Sequence, residues 1–541
     1  MNATYTINHR CGHLRVLVLH AVIVLHMAAG LAGAQCWTRL EGRDRASGDC
    51  FAESVSLSGD LAIIGAWGDD DGGNSSGSAW MLRFDGTEWV ELAKHAGGGE
   101  LEEFGRSVSV SGDVAVVGAP TALSFGSAYV YRWNGCQWVH EQRLRASDGQ
   151  QGDRFGEAVV VGQDLLEPVV IRQDLVVVSA PRAGDDAGAA YVFRFDGSGW
   201  NEEQKLVPSD IASGDRFSSS LAVDGELIVA GASAKAGFTG AAYVFRRNKA
   251  GLWVEEQRLL PNDPELGDRF GSAVAVQGDV AIVGASKEDE ACGGGDCNAG
   301  CAYVFGYQRL GWVQQQKLMA SDAGPGDQFG GRLSMEENTL LVGVPVDDAS
   351  CGSVYLFGWD GSAWVEKDKI TVRDGGTGDF FGMGLCVSNN RALVGAPGER
   401  STTGAAYLFR VDGVGASWKN YGEGWPGTRG IPGIALDTDL VLGRSTQLDV
   451  DNSLGSQTAA VLLLGSSPAL WDTPLGGSLL VAPSLALAIS LPASGLSVVA
   501  DIPCDEGLEG LSLFMQVLEA DPGASAGVSF TPGLWLLMGS H

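Results

Sequence analysis

The chain has 541 residues with 66 Asp or Glu against 36 Lys or Arg, a formal net charge of −30. That balance excludes a nucleic-acid binder, which needs clustered basic side chains, and argues against docking on an anionic membrane surface. It favours solubility and weak association with divalent cations, and the length allows about two to four domains.

Residues 1–34 read as a secretory leader. Arg10 and Arg15 give a positive flank, Val16 to Leu31 is apolar apart from His20 and His26, and Ala32-Gly33-Ala34 is a small-residue cleavage site before Gln35. The apolar run is shorter than the ~20 residues a membrane span prefers, so a cleaved leader is expected rather than a retained anchor. No later stretch reads as a transmembrane helix, and the expected location is extracellular or at the cell surface.

From residue 35 to about 420 the chain repeats. The anchor is a Phe, usually followed by Gly: Phe51, Phe104-Gly105, Phe155-Gly156, Phe217, Phe270-Gly271, Phe329-Gly330 and Phe381-Gly382, spaced by 53, 51, 62, 53, 59 and 52 residues. A period near 50 residues means a repeat architecture. Each unit holds four strand-like pieces. In the clearest copy an alternating run, Ser272 to Val276, meets a Gln277-Gly278-Asp279 turn and a second strand, Val280 to Val283, closed by Gly284-Ala285. The third strand is aromatic, as in Gly240 to Arg246, and the fourth is charged with one Trp and one Leu, as in Trp253 to Leu259.

This gradient from small to aromatic to charged fits a radial blade: inner strands converge on an axis, middle strands pack on neighbours, and the outer strand faces water. A linear solenoid would need polar capping repeats, and none is visible. The expected fold is all-β, a seven-bladed β-propeller over 35–420. The strand-four Leu or Ile precedes the next Phe by 11 residues in six places, the first being Leu40 to Phe51. The segment Cys36 to Leu40 is therefore expected to complete the last blade, where Trp418 is followed by Asn420-Tyr421-Gly422 in place of Glu-Gln-Lys-Leu. Joining the ends in this way removes an exposed sheet edge.

Phe104-Gly105 with Gly118-Ala119-Pro120, and Phe381-Gly382 with Gly395-Ala396-Pro397, resemble FG-GAP repeats, the family that builds the propeller of integrin α-subunits and occurs in secreted bacterial proteins. The resemblance implies the propeller fold and an extracellular role in binding a protein or glycan, without implying an activity. It also implies a calcium loop between strands two and three, because calcium takes six to eight oxygens from closely spaced carboxylates and carbonyls. Repeat one carries Gly68-Asp69-Asp70-Asp71-Gly72-Gly73-Asn74 there, so Asp69 and Asp71 are the calcium candidates, at a spacing that departs from the family pattern. The alternative is a solvated acidic turn. Asp185-Asp186, Glu288-Asp289-Glu290 and Asp347-Asp348 lie in matching loops with fewer ligands.

Repeat three holds an insertion, Leu165 to Asp174, read as a lengthened hairpin or a ligand-gripping loop. Ten Cys are present, nine after Cys11. Cys292, Cys297 and Cys301 lack the spacing and the fourth ligand of a zinc site and suit a local disulfide; Cys301 with Cys351, or Cys36 with Cys50, are further pairings that sequence leaves open. Residues 421–433 are Gly/Pro-rich and read as a linker. From 434 to 541 short strands (Ala460 to Leu464, Ser478 to Val481, Leu496 to Ile502, Leu511 to Leu518, Leu534 to Met538) suggest a small β-sandwich. Gln516-Val517-Leu518 and Asp521-Pro522-Gly523 resemble a C-terminal module of secreted bacterial proteins.

No catalytic set emerges. The Asp that precedes each anchor (Asp153, Asp215, Asp268, Asp327, Asp379) recurs in blade after blade, which suits turn capping better than one active site. Two G-x-S-x-G stretches, Gly73 to Gly77 and Gly523 to Gly527, lack the helix a nucleophile elbow needs. The recurrent Trp89, Trp138, Trp200, Trp253, Trp312 and Trp364 suit packing better than sugar stacking. The expected function is a non-enzymatic ligand-binding or adhesion platform; a polysaccharide-acting enzyme using loop carboxylates and a structural envelope component are the alternatives.

Overall fold

The computed structural model describes residues 37–86, 88–166, 171–290, 297–372, 375–411, 417–437, 445–475, 477–502 and 510–538. The leader expected over 1–34 lies outside them, as do Cys11, Cys36, Cys292 and Cys504. The chain divides into two compact units, Thr38–Phe409 and a second made chiefly of Arg410–His541.

The first unit is a β-propeller of repeated four-stranded sheets, seven of which are formed among the described residues. Sheet five shows the pattern. Phe270–Gln277 pairs with Val280–Ala285, which pairs with Cys301–Gln308, which pairs with Gly311–Leu318. The second strand is buried along nearly its whole length and the fourth alternates, as inner and outer positions demand. In six of the sheets the third and fourth strands slip register at one point, between Val304 and Phe305 in sheet five and between Val244 and Phe245 in sheet four, and such bulges add local twist. Sheet seven takes its outer strand from the other end of the chain: its order is Trp37–Leu40, Ala405–Arg410, Arg391–Ala396, Leu385–Ser388.

The recurring Phe explains how sheets join. The amide N–H of six anchors donates to a carbonyl of the preceding repeat, among them Phe104 to Ser76 at 3.0 Å, Phe217 to Ala187 at 2.8 Å, Phe329 to Ala299 at 2.7 Å and Phe381 to Cys351 at 3.0 Å. Between the first and last sheets the Cys50 amide donates to the Thr402 carbonyl at 2.9 Å, and Phe51 bridges Gly404. Each ring then sits against the third-strand aromatics of its own repeat. Phe270, fully buried, lies 5.6 Å from Tyr303 and 6.0 Å from Phe305, and burying such a ring contributes about 2–3 kcal/mol.

The Gly that follows the anchor has a backbone reason. At Gly105 φ is +87°, and a Cβ there would lie 2.2 Å from the Ser78 carbonyl oxygen. In repeats one and four Ala52 and Ser218 hold the same left-handed conformation, φ +70° and +68°, at a cost of about 1 kcal/mol each. The Ser218 hydroxyl offsets part of it by donating to the Ala189 carbonyl at 2.7 Å.

In repeat three the insertion lengthens the first hairpin. Val159–Leu166 pairs with Ile171–Ala180 out to Leu166 opposite Ile171.

In the second unit a six-stranded sheet contains Ser417–Tyr421, Gly533–Leu537, Ser512–Ala520, Thr458–Gly465 and Leu485–Leu491, with Val528–Phe530 pairing at one side. A three-stranded sheet holds Ile434–Leu436, Ser445–Val450 and Leu496–Asp501. Side chains of both sheets, among them Ile434, Leu448, Leu462, Leu464, Met515 and Leu536, share one core, so the two sheets pack face to face.

Two expected boundaries differ from the structure. The strand around Trp418 was placed in the last repeat by its spacing, but its residues 417–421 pair with residues 533–537, Trp418 opposite Leu536. The 421–433 stretch is likewise bonded into the second unit rather than spanning open space: Trp425 and Phe530 exchange backbone hydrogen bonds at 2.8 and 3.0 Å. Aligned backbone donors decide both outcomes, which composition alone does not reveal.

Candidate functional site

The acid-bearing loops are built from capped turns and ion pairs. The Asp before each anchor caps its own turn. Asp153 accepts from the Gln150 amide at 2.6 Å, Asp215 from Ala212 at 2.8 Å, Asp268 from Glu265 at 2.9 Å and Asp327 from Gly324 at 2.6 Å. Burial, opposed by that hydrogen bond, pushes the Asp268 carboxyl up to about 6, with Glu288, Glu265 and Asp289 nearby adding to the rise.

The calcium candidates are occupied by the protein's own cation. Lys94 Nζ lies 2.8 Å from Asp69, 2.6 Å from Asp71 and 2.9 Å from Asp44. Burial alone acts to lower the Lys94 pKa, but hydrogen bonds to Asp69, Asp71 and Asp44 outweigh it and raise it. Lys94 in turn holds Asp71 below its usual range. An ammonium at the centre of three carboxylates supplies the charge a metal would bring, and it also fills the space.

The same arrangement recurs. Lys317 pairs with Asp263 at 2.8 Å, with Glu288 at 3.0 Å and with Glu290, and Lys369 pairs with Asp322 and Asp347 at 2.7 Å each. Lys205 pairs with Asp148 at 2.7 Å, and Tyr191 donates to the same carboxylate at 2.8 Å. The acidic loops at Asp69–Asp71, Glu288–Glu290 and Asp347–Asp348 are thus each closed by a fourth-strand Lys, whereas Asp186 faces Arg216 at 3.8 Å. Among the described residues no group of three or more His, Cys, Asp or Glu is placed to hold a metal ion.

Five of the six repeated Trp side chains are packing elements, and Trp89 is half-buried. Trp138, Trp200, Trp253, Trp312 and Trp364 are 3–6% exposed, which leaves no face for a sugar. Their backbones are stitched outward by glutamines: Gln142 accepts from the Trp200 amide at 2.9 Å and donates to its carbonyl at 2.8 Å. Gln204 with Trp253, Gln257 with Trp312 and Gln316 with Trp364 repeat the pair.

Two pairings left open by the sequence, Cys301 with Cys351 and Cys36 with Cys50, are not formed. Cys50, Cys301 and Cys351 are free, while Cys297 is disulfide-bonded. Cys301 follows Gly300, which bridges Phe329, whereas Cys351 precedes the corresponding Gly352. The offset of two residues sets their side chains apart. In the serine stretch of repeat one, the Ser75 amide donates to Asp70 at 2.7 Å and no helix follows, so no nucleophile elbow is formed. A cavity of about 200 Å³ lies between sheets six and seven, lined by Asp348, Cys351, Asp379, Phe381 and Tyr407, below the ~300 Å³ at which ligand pockets usually begin.

One cluster was missed by sequence reasoning. Trp67 stands where other repeats carry the Pro or Ser after Gly-Ala. Its indole N–H donates to Glu53, and the Arg106 guanidinium lies 5.3 Å from its ring centre and 2.6 Å from Glu53. Glu53 and Arg106 each lie two residues after an anchor Phe, at the inner ends of sheets one and two. The available signal was that departure from the Gly-Ala-Pro pattern.

Six stretches match the family model described as FG-GAP repeat: 37–82, 95–131, 200–245, 253–305, 312–357 and 364–409, about half of the chain. This chain belongs to the FG-GAP repeat family. Each matched stretch after the second runs from a fourth strand into the third strand of the next sheet, so the family unit straddles the junction described above; the repeat with the lengthened hairpin is the unmatched one. Human integrin alpha-11 is 32% identical over 121 residues, 20% of this chain and 10% of the integrin, so the matched part spans about a tenth of that relative.

Among solved structures, a protein from Bacteroides uniformis provisionally assigned as a 6-phosphogluconolactonase has TM-score 0.41 at 9% identity, covering 59% of this FG-GAP chain and 85% of its own. The fucose-specific lectin of Aleuria aurantia has TM-score 0.35 at 11% identity, covering 60% and 97%. The β-propeller domain of the trilobed protease of Pyrococcus furiosus has TM-score 0.34 at 10% identity, covering 63% and 90%. At these values the likenesses carry no function. The family and the integrin relative support a ligand-binding or adhesion-type propeller. No helix among the described residues is long and apolar enough to cross a membrane.

Proposed function

We propose that this FG-GAP protein is an extracellular or surface-displayed platform that binds a protein or glycan and catalyses no reaction. The observation that carries the reading is the set of matched repeats, one stretch of the chain being 32% identical to an integrin α-chain. The state of its carboxylates supports the non-catalytic part. The loop acids are paired with Lys94, Lys205, Lys317 and Lys369 or cap turns, and a general acid or base must be free to exchange a proton with substrate. The second unit is proposed to serve as an attachment or accessory domain.

The test is a combined glycan and protein array probed with the full chain, alongside incubation with a polysaccharide panel. Saturable binding without turnover is expected. Turnover abolished by a single Asp or Glu substitution would overturn the reading, as would silence on both arrays.

A further inference from the structure

The residue three places after each anchor Phe is small in six repeats: Ser54, Ser107, Ala158, Ser220, Ala273 and Gly384. The seventh is Arg332. It occupies an equivalent register, Arg332 opposite Gly343 as Ser54 is opposite Gly65, Ser107 opposite Gly118 and Ser220 opposite Gly231. These positions start the first strands, which are the strands that neighbour one another from sheet to sheet and face the axis. The three serines use their hydroxyls to reach the next repeat, donating to the carbonyls of Gly105, Gly156 and Gly271 at 2.8–2.9 Å. Arg332 spans the same junction with a guanidinium in place of a hydroxyl.

Its surroundings define what it can do. Nε donates to the Met383 carbonyl at 3.0 Å, Nη1 to the Gly331 carbonyl at 2.9 Å and Nη2 to the Met383 sulfur at 3.1 Å. Backbone and thioether acceptors therefore fix the plane of the group, and the thioether is a weak acceptor. Of its five N–H bonds, two remain unengaged by these contacts. Arg332 is exposed to solvent, yet burial by surrounding protein is the largest influence on its pKa and lowers it, with Glu53 raising and Arg106 lowering it. Among the described residues no carboxylate pairs with it, since Glu53 is held by Arg106 at 2.6 Å and by the Trp67 indole.

We propose that Arg332 anchors a carboxylate-binding subsite on the axis-facing strands of the propeller, beside Met383. The proposal rests on reading the repeats as a ligand-binding platform and names the chemistry of one of its contacts. A guanidinium with a fixed plane and two spare donors matches a single carboxylate in bidentate fashion. Glu53 and a net charge of −30 oppose dianions such as sulfate or phosphate more strongly than a monoanion. A carboxylate-bearing ligand gains from the absence of a competing counter-ion, because no internal ion pair has to be broken.

The test uses the full chain, the variants Arg332→Ser and Arg332→Lys, and three probes at low ionic strength: acetate, sulfate and neutral acetamide. Arg332→Ser installs the residue found at this register in three other repeats. Acetate is expected to bind the wild type with a Kd of about millimolar and to shift the Arg332 Nε–H resonance. Affinity should fall about tenfold or more in Arg332→Ser and partly recover in Arg332→Lys, with acetamide inert. The resonance shift is read on the wild type alone, so it stands whether or not a variant folds. Equal acetate binding by wild type and a folded Arg332→Ser, an unmoved Nε–H resonance, or tighter binding of sulfate than of acetate overturns the proposal. If array binding persists equally in wild type and Arg332→Ser while acetate fails, the subsite is wrong and the platform reading survives; loss of all array binding in the wild type removes both.

Discussion

The two units reach stability by opposite routes. In residues 38–409 one junction is used again and again: an anchor Phe stapled to the preceding repeat, a capped turn beside it and a Lys among acids at several of the boundaries. In the second unit a single core gathers residues from two sheets, and a polar cluster occurs once. Glu519, fully buried, accepts from the Ser453 and Leu454 amides at 2.8 and 3.1 Å and from the Ser453 and Ser529 hydroxyls at 2.6 and 3.2 Å. Asp521 accepts from the Thr428 amide at 2.6 Å and the Gly523 amide at 2.8 Å; burial alone would raise its pKa, but these bonds hold it below the usual range. Repetition makes each contact one of several copies. The single cluster has no copy.

The sharpest way to break this contrast is in the cores. Phe270→Ala removes a fully buried ring from one of the junctions and should cost about 3–5 kcal/mol, with faster hydrogen exchange in sheets four and five. Exchange that rises evenly through all the sheets would show that the copies do not act as local units. Glu519→Ala should cost about 3 kcal/mol, because buried amides and hydroxyls lose a charged acceptor. Its effect should appear in hydrogen exchange around 453–454 and 512–530, and a variant as stable as wild type would mean the cluster is dispensable.

A smaller effect is expected where a repeated contact is electrostatic. Lys94→Ala leaves the buried Asp69 facing Asp71 and Asp44 without a cation and should cost about 2 kcal/mol. Millimolar calcium should restore part of the melting temperature in this variant and leave the wild type unchanged; a calcium-dependent rise in the wild type of the same size contradicts the Lys94 account.

The smallest effect concerns protons. Asp268 is raised by burial to about 6 in the folded state, so its ionisation opposes folding: the penalty is absent below about pH 4 and grows as pH rises to about 6. Asp268→Asn keeps an acceptor for the Glu265 amide and carries no charge. Its melting temperature should gain about 1–2 °C relative to wild type between pH 4 and 6, measured by calorimetry across that range. A constant difference over the window means burial of this carboxyl is not the cause.

The fold of the first unit was legible because its determinants are short-range. Alternation along Ser272 to Val276, the Gly278 turn and the left-handed residue after each Phe, usually Gly, are local facts repeated about every 50–60 residues. The 11-residue step from Leu40 to Phe51 even placed Trp37–Leu40 beside the last sheet. The same habit misplaced Trp418, since a Trp at the expected spacing carries no label for its partner strand, and Leu536 lies 118 residues further on. In the second unit the strands at 458–465, 478–481 and 512–520 were visible as apolar runs, while Pro468–Asp472, largely exposed, and Leu485–Leu491, with one face on the core and the other in solvent, were not.

The amino-acid order alone set the repeat, the strands within it and the turn chemistry between them, because each depends on neighbours a few residues apart. Only tertiary structure decided that Lys94 neutralises Asp69 and Asp71, that Glu53, Trp67 and Arg106 meet, that Arg332 reaches Met383, and that Trp418 serves the second unit. Those outcomes depend on groups from distant segments arriving at one place, and the charge or hydrogen bond that results exists only once they have met.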